Sequence, residues 1–492
     1  MAARLLRASK PARFLENRDE TVVAATDPLG LQPLYYTSTD RGEPVVNHSI
    51  EQLLEAHPPA VADLNLSTVV GHIAGSYAPE PGSTFFKHIH AVAPGTAVAI
   101  EPEEVSTETY WDPLRFRPNR LLRAEEASRK LRDLLFEVIA DYVPDVRVAC
   151  TLSSGMDSST VLAGLQHAGA DVIAVTWPTP EISVTDESRW AKLTAEKLGV
   201  PLIQIPMTTD DLIDADAIAI RRATPLVNIF GGILPKTAKT LSQHGIGVTF
   251  TGFSGDHLFL MEPGPDLLLS FRLVRLARYL RNVSPKYPTT TRMIRRELLG
   301  PIGRQTLPRT WARRQQPVSW LHPDQHEVWR ERLRRSLGPG ILPGHAERIA
   351  GVGDATISYQ AETLAYEMSK EGVEIRHPLM DRRIVEFALS LPTWLLDDGQ
   401  TDKLVLRDAM RGVLPDQVVE LEKIYPERLA EKVLRDRSQA LMSLTKDMRA
   451  ADLKLVLEQE LSDYVSAFMR GEHDDATWWS TLTLEDWLRR WF

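Results

Sequence analysis

The stretch Val146-Arg147-Val148-Ala149-Cys150-Thr151-Leu152-Ser153-Ser154-Gly155-Met156-Asp157-Ser158-Ser159-Thr160-Val161-Leu162-Ala163-Gly164-Leu165 decides the fold. Val146, Val148, Ala149, Cys150 and Leu152 make a short, mostly apolar run that fits a buried strand. From Ser158 on, hydroxyl residues followed by apolar residues at helical spacing predict a helix start with hydroxyl caps. The small residues between strand and helix leave backbone N–H groups pointing at open space, and with the helix dipole these make an anion site. Ser153, Ser154 and Ser158 add hydroxyl donors. No Gly-Lys-Ser/Thr follows, so this is not the kinase-type P-loop. An acid, Asp157, stands where that loop has its lysine. An acid beside bound phosphate needs a cation between them, most simply Mg²⁺. The plainer reading of the same residues is a serine-rich turn.

Downstream, Val172–Thr176 reads as a second buried strand. A helix over Glu187–Leu198 follows, closed by Gly199, and further strands fall at Val200–Pro206 and Val248–Gly252. Strands alternating with helices predict an α/β fold with a doubly wound parallel sheet, whose ligands sit at the carboxyl ends of the strands. The last of these strands delivers Thr251-Gly252-Phe253-Ser254-Gly255-Asp256-His257-Leu258-Phe259, a second small-residue loop with a second acid. Asp157 and Asp256 are thus expected to share one Mg²⁺ with a pyrophosphate. Upstream, Ala124–Tyr142 is an amphipathic helix with Leu131, Leu134, Leu135, Val138 and Ile139 on one face. Asp112–Arg123 reads as a linker, and residues 1–115 as a smaller β-rich domain, with a turn at Asp27-Pro28-Leu29-Gly30.

Composition sets bounds. The 492 residues suffice for two or three domains, and 43% apolar with 25% charged residues is the balance of a globular protein. No apolar run is long enough to cross a bilayer, and no signal-like core follows Met1, so a cytoplasmic location is expected. One cysteine, Cys150, excludes an internal disulfide framework and a cysteine-rich metal site. The net charge is -9, yet residues 271–337 carry +12 and the remainder -21. That segment reads as a nucleic-acid surface, a groove for an acidic peptide, or a solvated helical face. No RNA-module signature accompanies the charge, and nucleic acid is not expected as a partner.

Ser-x-Gly-x-Asp-Ser after a strand resembles the pyrophosphate loop of ATP pyrophosphatases, with Ser154 where the usual form has glycine. Several further phrases resemble the asparagine synthetase family. Asp27-Pro28-Leu29-Gly30-Leu31-Gln32-Pro33-Leu34-Tyr35-Tyr36, Ala93-Pro94-Gly95 and Tyr110-Trp111 are similar to the second half of its glutaminase domain. The first half is missing, and so is the cysteine that would hydrolyse glutamine, since none precedes Cys150. Residues 1–115 are therefore expected to be a degenerate glutaminase-like domain and 124–492 the synthetase domain. Glu374-Ile375-Arg376-His377-Pro378-Leu379-Met380-Asp381, Lys403-Leu404-Val405-Leu406-Arg407 and Leu414-Pro415-Asp416 continue the match. Counting on from Leu414-Pro415, the family's catalytic lysine falls on Lys423, with Leu421 where an arginine is usual.

The resemblance implies an ATP-dependent, amide-forming ligase. A carboxylate attacks the α-phosphate of ATP, and an amine then displaces AMP. It implies an ATP site of Thr151, Ser153, Ser154, Gly155, Asp157, Ser158, Val175, Thr251 and Gly252. Mg²⁺ falls on Asp157 and Asp256, with Lys423 and His257 completing the catalytic set. Amide-forming synthetases carry glutamate at the position of Phe253, and β-lactam-forming relatives carry tyrosine. Gly255-Asp256-His257-Leu258-Phe259 instead resembles the cyclases that close lasso peptides as macrolactams. A precursor peptide is then the substrate, with a leader-binding protein and a leader peptidase as companions. A small-molecule amide or hydroxamate synthetase is the alternative. A tRNA-modifying adenylating enzyme is a third reading, from a different class, but those that transfer sulfur commonly need cysteines this chain lacks.

Overall fold

The computed structural model describes residues 11–18, 21–39, 43–56, 59–75, 80–102, 104–179, 188–208, 211, 223–225, 232–335, 341–353, 355–422 and 427–492. Its N-terminal strands are β1 (Phe14–Arg18), β2 (Thr21–Ala25), β3 (Tyr35–Ser38), β4 (Pro44–Asn47), β5 (His90–Ala91), β6 (Thr96–Ile100) and β7 (Val105–Thr109). They pair as two antiparallel sheets, β1-β2-β6-β7 and β4-β3-β5. The short helices Ile50–Ala56 and Leu66–Ile73 accompany them, so this part is less purely β than its sequence suggests. The turn at Asp27 forms because its carboxylate accepts the Leu29 and Gln32 N–H groups, at 3.0 and 2.8 Å, while Gly30 takes φ +67°. A Cβ at Gly30 would meet Ser358 Oγ at 2.5 Å, and that hydroxyl donates to the Leu29 carbonyl at 3.0 Å. The turn is thereby seated on the helix Ala355–Ser369.

A second sheet is built from β8 (Val148–Thr151), β9 (Val172–Thr176), β10 (Leu202–Gln204), β11 (Val248–Phe250) and β12 (Glu374–Arg376). All pairs are parallel, in the order β10-β9-β8-β11-β12. Alternate residues of β8 enter different cores. Val148 and Cys150 pack with Leu131, Leu135 and Phe250, whereas Ala149 packs with Val175, Ala238 and Leu241. Both faces of the inner strands β8, β9 and β11 are covered, which is why they read as mostly apolar runs, whereas the edge strands β10 and β12 are partly exposed. The fifth strand is an addition: Glu374–Arg376 lies inside a stretch read only as a phrase of the family resemblance. At three residues its apolar signal is too short to distinguish from a loop.

The two parts share cores. Ala25, Leu29 and Trp111 join the first, and Trp111 Nε1 donates to Glu386 at 3.0 Å. Phe85 and Phe86 join the second, where Trp487 of the C-terminal helix Trp479–Trp491 packs against them at 5.6 and 5.7 Å between ring centroids. No helix among the described residues is long and apolar enough to cross a membrane.

Candidate functional site

The strand order turns at the β8–β11 pair, since β9 and β10 extend to one side of β8 and β12 lies beyond β11. At such a point the loops leaving two neighbouring strands diverge and open a crevice at their carboxyl ends. The loops here are 152–155 after β8 and 251–254 after β11, and Thr151 Oγ1 donates to the Phe250 carbonyl at 3.3 Å between them. They touch at glycines. A Cβ at Gly252 would lie 2.4 Å from Ser158 N, and one at Gly255 would lie 2.2 Å from Asp157 Cγ. Any side chain at either position would force the loops apart.

The first loop differs from its expected form in one respect. The helix starts at Met156 with Gly155 as N-cap and no side-chain cap, rather than with hydroxyl caps from Ser158. The hydroxyls turn into the loop instead. Ser153 and Ser158 Oγ lie 2.9 Å apart, Ser153 N–H donates to Ser158 Oγ at 3.1 Å, and Gly155 N–H donates to Ser153 Oγ at 3.1 Å. Ser154 is buried. Val175 sits beside Thr151 in the sheet register, but its side chain is fully buried and its carbonyl accepts the Leu152 N–H at 2.7 Å. It belongs to the floor beneath the loop.

Asp157 and Asp256 each occupy the first turn of a helix, Met156–His167 and Gly255–Phe259, where the N-terminal dipole favours negative charge. They come together on one cation. Lys403 Nζ lies 2.5 Å from Asp157 Oδ2 and 2.6 Å from Asp256 Oδ1. The lysine is 5% exposed. Burial works against its charge, but the two carboxylates outweigh it and hold the ammonium above the usual lysine range. Lys403 sits at φ 50° and Ser254 at φ 65°, both in the left-handed region. Such backbone costs on the order of 1–3 kcal/mol per residue and persists where surroundings over-determine it.

The second loop is anchored from β12. Thr251 N–H donates to the Arg376 carbonyl at 3.1 Å, and Thr251 Oγ1 lies 2.7 Å from His377 Nδ1. Thr251 Oγ1 also accepts the Phe253 N–H at 3.2 Å. Burial pushes the His377 imidazole down to about 4, so it is neutral and shares one hydrogen bond with the Thr251 hydroxyl. The Phe253 ring packs on it at 4.8 Å. His257 Nδ1 faces Ser254 Oγ at 3.2 Å, on the same short helix as Asp256.

The expected residues 151–158 and 251–257 are thus brought together, and Lys423 lies outside the described residues. Lys403 as the bridge between the acids, and His377 as the anchor of the second loop, were not legible as such. Lys403 is 246 residues from Asp157, and its sequence signal was only its place in the Lys403-Leu404-Val405 phrase. Two carboxylates suit Mg²⁺ carried in by a nucleotide, because that ion takes one or two carboxylates and completes its shell with phosphate and water. No group of three or more metal-ligating side chains occurs among the described residues.

Comparison with known proteins adds the lineage. The family model described as asparagine synthase matches residues 130–489, and that described as a glutamine amidotransferase domain matches residues 13–111. "Asparagine synthetase [glutamine-hydrolyzing] 1" of Bacillus subtilis (strain 168) is 23% identical over 462 residues, covering 86% of this chain and 68% of that protein. "Asparagine synthetase [glutamine-hydrolyzing] 3" of the same organism is 19% identical over 440 residues, covering 84% and 66%. The chain therefore spans about two thirds of the length of these relatives.

Proposed function

The chain belongs to the asparagine synthase family, whose chemistry is ATP-dependent amidation, and from that premise we propose that it is an AMP-forming ligase that closes an amide within a peptide. The observation that carries the nucleotide reading is the meeting of Asp157, Asp256 and Lys403 where β8 and β11 end. The parallel order around that pair supports a doubly wound, pyrophosphatase-type sheet with its ligand at the turn.

In this reading ATP enters across the two loops. A substrate carboxylate oxygen attacks the α-phosphorus, the bond to the bridging oxygen breaks, and pyrophosphate leaves. The amine nitrogen then attacks the acyl carbon, loses a proton, and AMP departs with the former carboxylate oxygen. Mg²⁺ held by Asp157 and Asp256 would supply charge neutralisation at the β- and γ-phosphates. Gly252 and Gly255 keep the loops close enough to act on one ligand. Lys403 holds the two carboxylates in register and presents its ammonium where the leaving group develops charge. Lys423, by its register with the family lysine, is assigned to the charge on the phosphate or the tetrahedral intermediate.

The macrolactam reading rests on Phe253 and on Gly255-Asp256-His257. Phe253 is packed against His377, so this position offers neither the carboxylate nor the phenol of the relatives that amidate or close β-lactams. The amine is assigned to the N-terminus of the substrate peptide and the acid to an Asp or Glu side chain. A leader-binding protein and a leader peptidase are its proposed companions, and a cytoplasmic setting follows from the ATP requirement.

The test is mass spectrometry on a trimmed precursor peptide with ATP and Mg²⁺. The expected product is lighter by one water and resists linearisation, with AMP and pyrophosphate formed alongside and Lys423→Ala nearly inactive. ADP as the nucleotide product would refute the adenylate. AMP formed with a small amine but never with a peptide would move the assignment to a small-molecule amide synthetase.

A further inference from the structure

The site leaves the basic segment unused. Its helix Leu273–Val283 buries Leu276, Tyr279 and Val283 and turns Leu273, Val274, Arg275 and Arg278 to solvent. The exposure is extreme for apolar residues: Val274 is 82% exposed, Phe271 86% and Leu121 89%. Phe271 is also held at φ 55°, a backbone that bulky side chains rarely adopt. These residues belong to one surface. The Arg272 guanidinium donates to the Arg120 carbonyl at 3.0 Å, beside Leu121, and lies over the Trp394 ring at 4.1 Å. Trp394 in turn lines a cavity of about 540 Å³, with Val274, Arg275, Arg278 and Tyr279 on its wall. Contiguous exposed apolar surface rimmed by charge marks an interaction site.

We propose that this surface docks an acidic polypeptide segment, which sets an apolar side chain into the cavity and lays carboxylates on Arg275 and Arg278. Burial and the like charges of Arg275 and Arg120 lower the pKa of Arg272, so these arginines and the exposed Arg278 form one local basic cluster that supplies the complementarity. The cavity also carries Asp397, Asp398 and Asp408. Asp408 is paired with Arg411 at 3.3 Å, and burial pushes the Asp397 carboxyl up to about 7. Asp397 and Asp398 oppose any anion inside the pocket, so the occupant's carboxylates fall on the exposed rim arginines and an uncharged apolar side chain enters the pocket, an anchor that nucleic acid lacks. A concave pocket beside exposed aliphatic residues fits a protruding side chain better than a flat bilayer. The wall includes Leu404 and Val405, next in sequence to Lys403, so a docked segment lies close behind the nucleotide site.

The experiment uses the full chain and a fluorescent synthetic amphipathic peptide of Glu and Leu, with poly-glutamate of equal length and phosphatidylserine vesicles as competing probes. The amphipathic peptide is expected to bind, with Val274→Asp and the pair Arg275→Glu, Arg278→Glu each weakening it by about tenfold, equivalent to about 1.4 kcal/mol. Melting temperature and ATP-dependent AMP formation should be unchanged, because these side chains face solvent. Poly-glutamate should bind about tenfold more weakly, since it lacks the anchor. No binding of the amphipathic peptide, equal binding by all three proteins, or equal affinity for poly-glutamate would each overturn the proposal. Vesicle binding that the variants abolish, without peptide binding, would make the surface a membrane contact instead.

Discussion

The two loops that make the site hold their shapes by different means. The loop after β8 is held by its own residues: Ser153, Gly155 and Ser158 exchange hydrogen bonds within five positions. The loop after β11 is held from elsewhere, with Thr251 bonded to Arg376 and to His377, which lies 126 residues away. Lys403, from a third region, then ties one acid of each loop together. A self-contained loop is set by local chemistry, whereas a borrowed one depends on the sheet being assembled first. Changes in the second loop should therefore be felt through β12, and changes in the first should stay local.

The largest effect is expected at the shared cation. Lys403→Met leaves two carboxylates facing each other at a partly buried site, and removing a preorganised charge of this kind costs about 10²–10³ in rate. AMP formation should nearly cease in Lys403→Met, and in Asp157→Asn and Asp256→Asn as well. A Lys403→Met enzyme that retained its rate would mean the loops act independently. The wild-type pairing contributes stability below the unfolded lysine value of 10.5, and it is lost as pH rises through the higher folded value.

Next comes the contact between the loops. Gly252→Ala places a methyl group 2.4 Å from Ser158 N, and forced overpacking typically costs about 1–3 kcal/mol. Gly155→Ala meets only Ser153 Oγ at 3.2 Å and should be milder. Thermal denaturation and KM for ATP should rank the two, and equal effects would dissolve the distinction.

The anchor of the second loop is tested by His377→Leu against His377→Asn. Leaving the Thr251 hydroxyl without its imidazole partner should lower kcat/KM for ATP by about tenfold, the effect of roughly 1.4 kcal/mol within the cost of a buried unsatisfied group. Asn offers both a donor and an acceptor near Nδ1 and should recover most of it. Ser158→Ala, in the self-contained loop, should raise KM about threefold and no more, at about 0.7 kcal/mol for its lost hydroxyl bonds.

The remaining effect, spread over a wide pH window rather than felt at one pH, is on stability. His377 is depressed to about 4 in the folded chain and returns to an ordinary value near 6.5 when unfolded. The unfolded chain thus takes up the extra proton, and stability falls as pH drops from 6.5 towards 4, by on the order of 3 kcal/mol in all. Melting curves across that window should be flatter for His377→Asn than for the parent. An identical slope would show that other groups, such as the equally depressed His345, carry the dependence.

Local periodicity and small-residue loops by themselves determined four of the five parallel strands, the helix Ala124–Tyr142 and both acid-bearing loops. Each of these is specified within about a dozen consecutive residues, where apolar spacing and turn chemistry act directly. The pairing of Asp157 with Asp256 was expected from their two loops, but the tertiary structure alone decided that Lys403 lies between them and that β12 supports the second loop. Those facts depend on which strand lies beside which. That order is fixed by burying both faces of β8 at once, a condition no local window of sequence contains.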